Sequence, residues 1–354
     1  MNTDNTTQSQ ISQADYAPLP VLEGYRFYRF TGSDEDYENI AKVVNSRQGE
    51  RDFFAPTDAD EIKREFSHHG ASCDPKRDLM FAEKDGQVIA YCRGSEEKST
   101  DEEKWDHLTI LNINPNYWEQ KLAHIMLAWS EAQASLRHQT HHAGEAADYC
   151  YHCLEQMPDK MALMQAAGYT PVRYWDTLIH HLEDIPYFPM PEGLELRAAM
   201  PSHYRQIWDA DQEAFKDHWG MHEMSEEDYQ AWIDPKIDFQ PYLFQVAWDG
   251  DEIAGEVLPW IVGSQNEVKK RARATIGDVA VRRPWRGKGL AKALISRTLN
   301  ALKLLNIKEV ELVVDSENPS GAYKLYESLG FVFDERGISW RKPLTEKGTM
   351  YVTC

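Results

Sequence analysis

The residues best suited to chemistry lie where the apolar strand Ala274-Thr-Ile-Gly-Asp-Val-Ala-Val281 turns, through Arg282-Arg-Pro-Trp-Arg286-Gly287-Lys288-Gly289-Leu290-Ala291, into a helix predicted from Lys292 to Leu305. Glycines at such a turn let backbone N–H groups converge on an anion at a helix N-terminus, where the dipole also favours negative charge. A pyrophosphate suits that turn. The dinucleotide pattern Gly-x-Gly-x-x-Gly is not completed, and no acidic residue follows on a strand at the ribose-binding distance, which disfavours a nicotinamide cofactor. Between Val268 and Lys308 twelve Lys and Arg side chains stand against one acid, Asp278. That local basic field suits a ligand with several phosphates, such as coenzyme A. A solvated basic helix face beside a glycine turn would explain the same residues without any ligand, so the neighbouring motifs decide.

Those neighbours are the strand ending Val313-Val-Asp-Ser-Glu-Asn318, then Ala322, Leu325-Tyr326-Glu327 and Gly330-Phe331. With them, the stretch from Thr275 to Phe331 resembles the core of the GNAT (Gcn5-related N-acetyltransferase) superfamily. Arg286, Gly289 and Ala291 meet its pyrophosphate signature, and the downstream set meets its second motif in order. The resemblance implies acetyl-CoA as co-substrate, with Val279, Ala280 and Val281 along its arm, Arg286, Gly287, Lys288, Gly289, Leu290 and Ala291 at the phosphates, and Asn318 as a further contact. Backbone N–H groups near Val279 to Val281 would stabilise the oxyanion, and Tyr326 would protonate the departing thiolate. Two of these residues have a structural alternative. Tyr326 shares an apolar helix face with Ala322, Leu325 and Leu329, and Asn318, just before Pro319, suits a helix N-cap. For the general base the candidates are Asp278, Glu256, Asp217, His218, His222 and Glu223, and Asp278 is taken with Tyr326 as the catalytic pair. The segment Ala214 to Met224 falls where the family forms its acceptor pocket.

The elements that must hold these residues occur twice. Leu22-Glu-Gly24-Tyr-Arg26 returns as Pro191-Glu-Gly193-Leu-Glu-Leu-Arg197. The hairpin signal Asp85-Gly86 returns as Asp249-Gly250, and the helix end Gly168-Tyr169 as Gly330-Phe331. A linker with three prolines, Glu183 to Glu192, separates the copies. The expectation is an α/β protein of two tandem GNAT-type domains, each a mixed, mostly antiparallel sheet flanked by helices. Its parts are a disordered tail (1–20), a degenerate domain (21–183), a linker (184–192), the catalytic domain (193–345) and a C-terminal tail (346–354). This tandem layout loosely resembles that of mycothiol synthase-like acetyltransferases.

The first copy is worn. Aligned on the second, it places Trp118 at Arg286, Lys121 at Gly289 and Met164 at Tyr326, so the phosphate turn and the acid are both missing. His138, His141, His142, Cys150, His152 and Cys153 suggest a zinc cluster, but Cys150 and Cys153 fall three apart on a predicted strand and point to opposite faces. No metal is expected. A net charge of -20 disfavours nucleic acid and anionic membranes as partners. No run of apolar residues would span a bilayer, no signal peptide is evident, and five scattered cysteines fit reduced thiols. The reading is a cytoplasmic N-acetyltransferase that moves an acetyl group to a primary amine of a small molecule by direct transfer, a monomer whose halves pair as a pseudo-dimer. A non-catalytic acyl-CoA-binding regulatory protein is the alternative.

Overall fold

The structure is a computed structural model that describes residues 16–47, 57–67, 72–99, 102–216, 218–219, 221, 224–234, 239–318 and 321–345. Asp217, His222 and Glu223 therefore lie outside the described residues, as do 1–15 and 346–354. The first half runs β1 (Arg26–Arg29), α1 (Asp34–Asn45), α2 (Ala59–Ser67), α3 (Pro75–Asp78), β2 (Leu79–Lys84), β3 (Gln87–Lys98), β4 (Trp105–Ile113), α4 (Gln120–His141), β5 (Ala147–Leu154), α5 (Pro158–Ala166) and β6 (Thr170–His180). The second half runs β7 (Glu195–Arg197), α6 (Tyr204–Phe215), α7 (Glu226–Trp232), β8 (Gln245–Asp249), β9 (Glu252–Trp260), α8 (Gly263–Lys269), β10 (Arg273–Val281), α9 (Leu290–Leu304), β11 (Glu309–Asp315), α10 (Ala322–Glu327) and β12 (Val332–Pro343), the same plan except that its third helix lies between β9 and β10 instead of before the first hairpin. Both expected hairpins form at their glycines, with Asp85 and Gly86 in the left-handed region.

All strands join one twelve-stranded sheet in the order β1-β2-β3-β4-β5-β12-β6-β11-β10-β9-β8-β7. Among the described residues, only β4 with β5 and β10 with β11 run parallel. The two halves exchange their last strands. β6, from the first half, lies beside β11 of the second, and β12, from the second, lies beside β5 of the first; β6 and β12 pair with each other at the centre. Ion pairs cross this junction, Arg173 with Asp315 at 2.7 Å and Arg336 with Asp176 at 2.7 Å.

The exchange extends to the cores. Ile338 and Trp340 of β12 sit among Met126, Leu127, Tyr149 and Met164 of the first half, and Leu178 of β6 sits among Leu294, Leu299 and Leu312 of the second. Ala17, in the segment read as tail, is buried, and its N–H donates to Gln133 at 3.0 Å. Trp340→Ala should cost about 3–5 kcal/mol, the usual range for deleting a buried large aromatic. The loss should appear in urea unfolding of the first half, although residue 340 belongs to the second.

Candidate functional site

The parallel pairing of β10 with β11 runs only from Arg273–Glu309 to Thr275–Glu311. β10 continues to Val281, still paired on its other side with β9, while β11 continues to Asp315 beside β6. Past Thr275 the two strands diverge, and a wedge opens in the sheet along 277–281. Backbone polar groups on that edge of β10 gain no sheet partner from β11, and a strand edge of this kind can pair with a ligand's amides. The register of β10 on β9 slips between Ile276 and Asp278. Gly277 sits in this bulge because a Cβ there would lie 1.9 Å from the Trp260 ring. The bulge sets the direction of Asp278.

At the open end of the wedge the chain passes through a 3₁₀ turn, Arg283–Trp285, into α9. Gly287 and Gly289 adopt φ of 75° and 84°, the left-handed region that side chains disfavour. Gly289 is the N-cap of this 15-residue helix, and no side chain caps the first turn. Its leading N–H groups therefore remain available, as an anion site requires. Arg286, expected at the phosphates, is held by two backbone carbonyls. Its Nε donates to the Val281 carbonyl at 2.8 Å and an Nη to the Ala214 carbonyl at 3.2 Å, so it braces the turn against β10 and α6. Lys288 is exposed beside it.

Two kinds of proton-bearing group approach the wedge from opposite faces of the sheet. On the α9 face, Tyr326 of α10 is 8% exposed, with its ring 5.8 Å from that of Phe331 in the second core. Burial first, and then the charge of Asp278, push its phenol well above the ordinary range. The opposite face belongs to α6. Leu258 packs there with Ile207 and Ala210, and strand alternation puts Glu256 on the same side. Asp278 is registered opposite Leu258, and Ala280 opposite Glu256. Asp211 joins them from α6. Burial raises the Asp278 carboxyl to about 6. Asp211 and Glu256 are pushed well above the carboxylate range, by burial first and then by neighbouring carboxylates.

Sequence reasoning missed Asp211. The available signal was its place in α6: Ile207, Asp211 and Ala214 fall at i, i+4 and i+7, so one carboxylate interrupts the apolar stripe. Of the other base candidates, His218 sets its ring edge-on to that of Phe215, with centroids 4.4 Å apart. In the expected acceptor segment, Trp219 lies 6.0 Å from Trp175 of β6, under the guanidinium groups of Arg173 and Arg341. Asn318 is not the N-cap of α10. That position is Gly321, at φ 74°, and Asn318 lies in the turn before it, its carbonyl accepting from the Gly321 N–H at 3.4 Å.

The first half has the same divergence, its parallel pairing ending at Leu108–Cys150, but other residues line it. Met164 is fully buried in the core, and the N-cap of α4 is Glu119, with no glycine turn before it. Cys150 and Cys153 lie on β5, and among the described residues no group of His, Cys, Asp and Glu is arranged to hold a metal. No described helix is long and apolar enough to cross a membrane.

Comparison with known proteins locates the same region. The profile of the Acetyltransferase (GNAT) family matches residues 204–331. Mycothiol acetyltransferase of Geodermatophilus obscurus is 26% identical over 196 residues, which cover 52% of this chain and 61% of that protein. The match thus spans less than two thirds of that relative. Acetyltransferase SG1711 of Sodalis glossinidius is 31% identical over 123 residues, 33% of this chain and 80% of that protein. Among solved structures, a GCN5-related N-acetyltransferase from Sphaerobacter thermophilus superposes with a TM-score of 0.68 at 23% identity, covering 92% of this chain and 97% of its own. That likeness shows a common fold over nearly the whole chain.

Proposed function

Because this chain belongs to the GNAT acetyltransferase family, we propose that its second half transfers an acetyl group from acetyl-CoA to a primary amine of a small molecule. The observation that carries this reading is the wedge along 277–281, with an uncapped, glycine-preceded helix N-terminus at its mouth and titratable groups on both faces. These features fit the donor. The N–H groups of Gly287 to Ala291 would hold its pyrophosphate, and the free edge of Val279, Ala280 and Val281 would pair with its amide-bearing arm. Acetyl-CoA supplies the activated thioester.

Asp278 takes a proton from the acceptor's ammonium group, since only the neutral amine has a free electron pair. The amine nitrogen then attacks the thioester carbonyl carbon, and a backbone N–H on the edge of β10 steadies the charge on its oxygen. As the carbon–sulfur bond breaks, Tyr326 gives its phenolic proton to the sulfur. The second nitrogen proton restores the phenol, and the first leaves from Asp278 to water. Tyr326 suits the acid role because its raised pKa keeps the phenol protonated until the thiolate forms.

The two halves, 21–183 and 193–345, then act as a pseudo-dimer, which favours a monomeric protein in the cytoplasm. In this arrangement the first half supplies the strand β6 beside β11 of the second. The test is release of free thiol from acetyl-CoA with a panel of primary amines. A base poised near 6 gives an acid limb in kcat/KM: activity climbs as pH rises through about 6 and levels off above it. Asp278→Asn should lower kcat/KM about a hundredfold or more and abolish that limb. Acetyl-CoA binding without thiol release across the panel would favour the non-catalytic, acyl-CoA-binding reading.

A further inference from the structure

The mechanism uses one carboxyl group of the three on the α6 face. Glu256 is 0% exposed, and neither of its carboxyl oxygens has a hydrogen-bond partner among the described residues; Asp211 Oδ1 is buried and equally unpartnered. A buried carboxylate without a partner costs several kcal/mol unless it keeps its proton or meets a cation. The positive charge that acts on Glu256 is that of Arg282, but it is engaged elsewhere, with Glu213 at 2.8 Å and the Ile253 carbonyl at 3.0 Å. Tyr326, across the wedge, carries no positive charge. Asp211 and Asp278 keep partial solvent contact, while Glu256 has none.

We propose that Asp211, Glu256 and Asp278 form a cation pocket for the acceptor's ammonium group, in which binding exchanges carboxyl protons for the ligand's positive charge. This deepens the transferase reading, on which it rests, by naming the acceptor class as an alkylammonium rather than a weakly basic aryl amine that is neutral at pH 7. Asp211 and Glu256 are positioning residues in this scheme. They draw the charged nitrogen to Asp278, and each carboxyl group that ionises on binding releases one proton to water. The directions of titration agree, because burial and the neighbouring carboxylates favour the protonated forms of Asp211 and Glu256 in the free site.

The test needs no turnover. Thermal unfolding of the full chain is followed against methylammonium chloride, with sodium chloride at equal ionic strength as the control, between pH 6 and 7. The wild type should be stabilised by methylammonium beyond sodium, with an apparent affinity that rises about tenfold per pH unit for each proton displaced. Asp211→Asn and Glu256→Gln, neutral replacements of similar shape, should flatten that slope. Two results would overturn the inference: equal effects of the two salts on wild type, or an unchanged slope in both variants. Acetyl-CoA, added separately, tests the transferase reading alone, so either claim can fail without the other.

Discussion

Acetyl-CoA at about 100 times its dissociation constant should add about 2.7 kcal/mol to the stability of the wild-type second half, and a protein carrying Gly289→Glu with Arg286→Glu should gain nothing. The reasons differ for the two positions. Gly289 holds φ 84° at the N-cap, so a glutamate there is strained and also brings a carboxylate to the helix N-terminus that a phosphate would occupy. Arg286→Glu removes the brace to the Val281 and Ala214 carbonyls, and the turn loses its fixed approach to β10. Both changes lower stability on their own account. The measurement is therefore the ligand-induced shift in unfolding midpoint of each protein, not the midpoint itself. A folded wild type that acetyl-CoA leaves unshifted would remove the basis for the transferase reading.

Tyr326→Phe is expected to lower kcat by about a hundredfold or more while leaving KM for acetyl-CoA near its wild-type value. The ring packs against Phe331 in an apolar core, so phenylalanine keeps the packing and removes only the proton donor. Thermal stability should change little. The alternative, a tyrosine present only for packing, predicts unchanged turnover. Single-turnover release of thiol separates these outcomes, because it reports the chemical step before product leaves. A more strongly basic acceptor amine would not rescue the variant, since the missing proton is the one required by the departing sulfur.

How much of this was legible in the chain depends on whether the chemistry is local. The glycine turn from Val281 into α9 could be read from the sequence, because positive φ at Gly287 and Gly289 and an open helix N-terminus are properties of a few consecutive residues. The mixed α/β fold and the repeated order of elements were legible for the same reason: periodicity, turn residues and helix stops act over short spans. The helix that carries Tyr326 was visible too, although its start at Ala322 rather than beside Asn318 was not, since a cap is set by the path of the turn that precedes it.

Tertiary structure decided the rest. The exchange of β6 and β12 between the halves depends on strand pairings 130 residues or more apart in the chain, which no local pattern encodes. The bulge that aims Asp278 comes from the fit of Gly277 against the Trp260 ring. Asp211 became a candidate only when α6 packed over β9 and β10, because a carboxylate's pKa depends on the groups around it and on the water removed, not on its neighbours in sequence. The sequence by itself determined the glycine turn, the helix that carries Tyr326 and the two-fold plan; the packing of three distant elements determined which carboxyl groups come together.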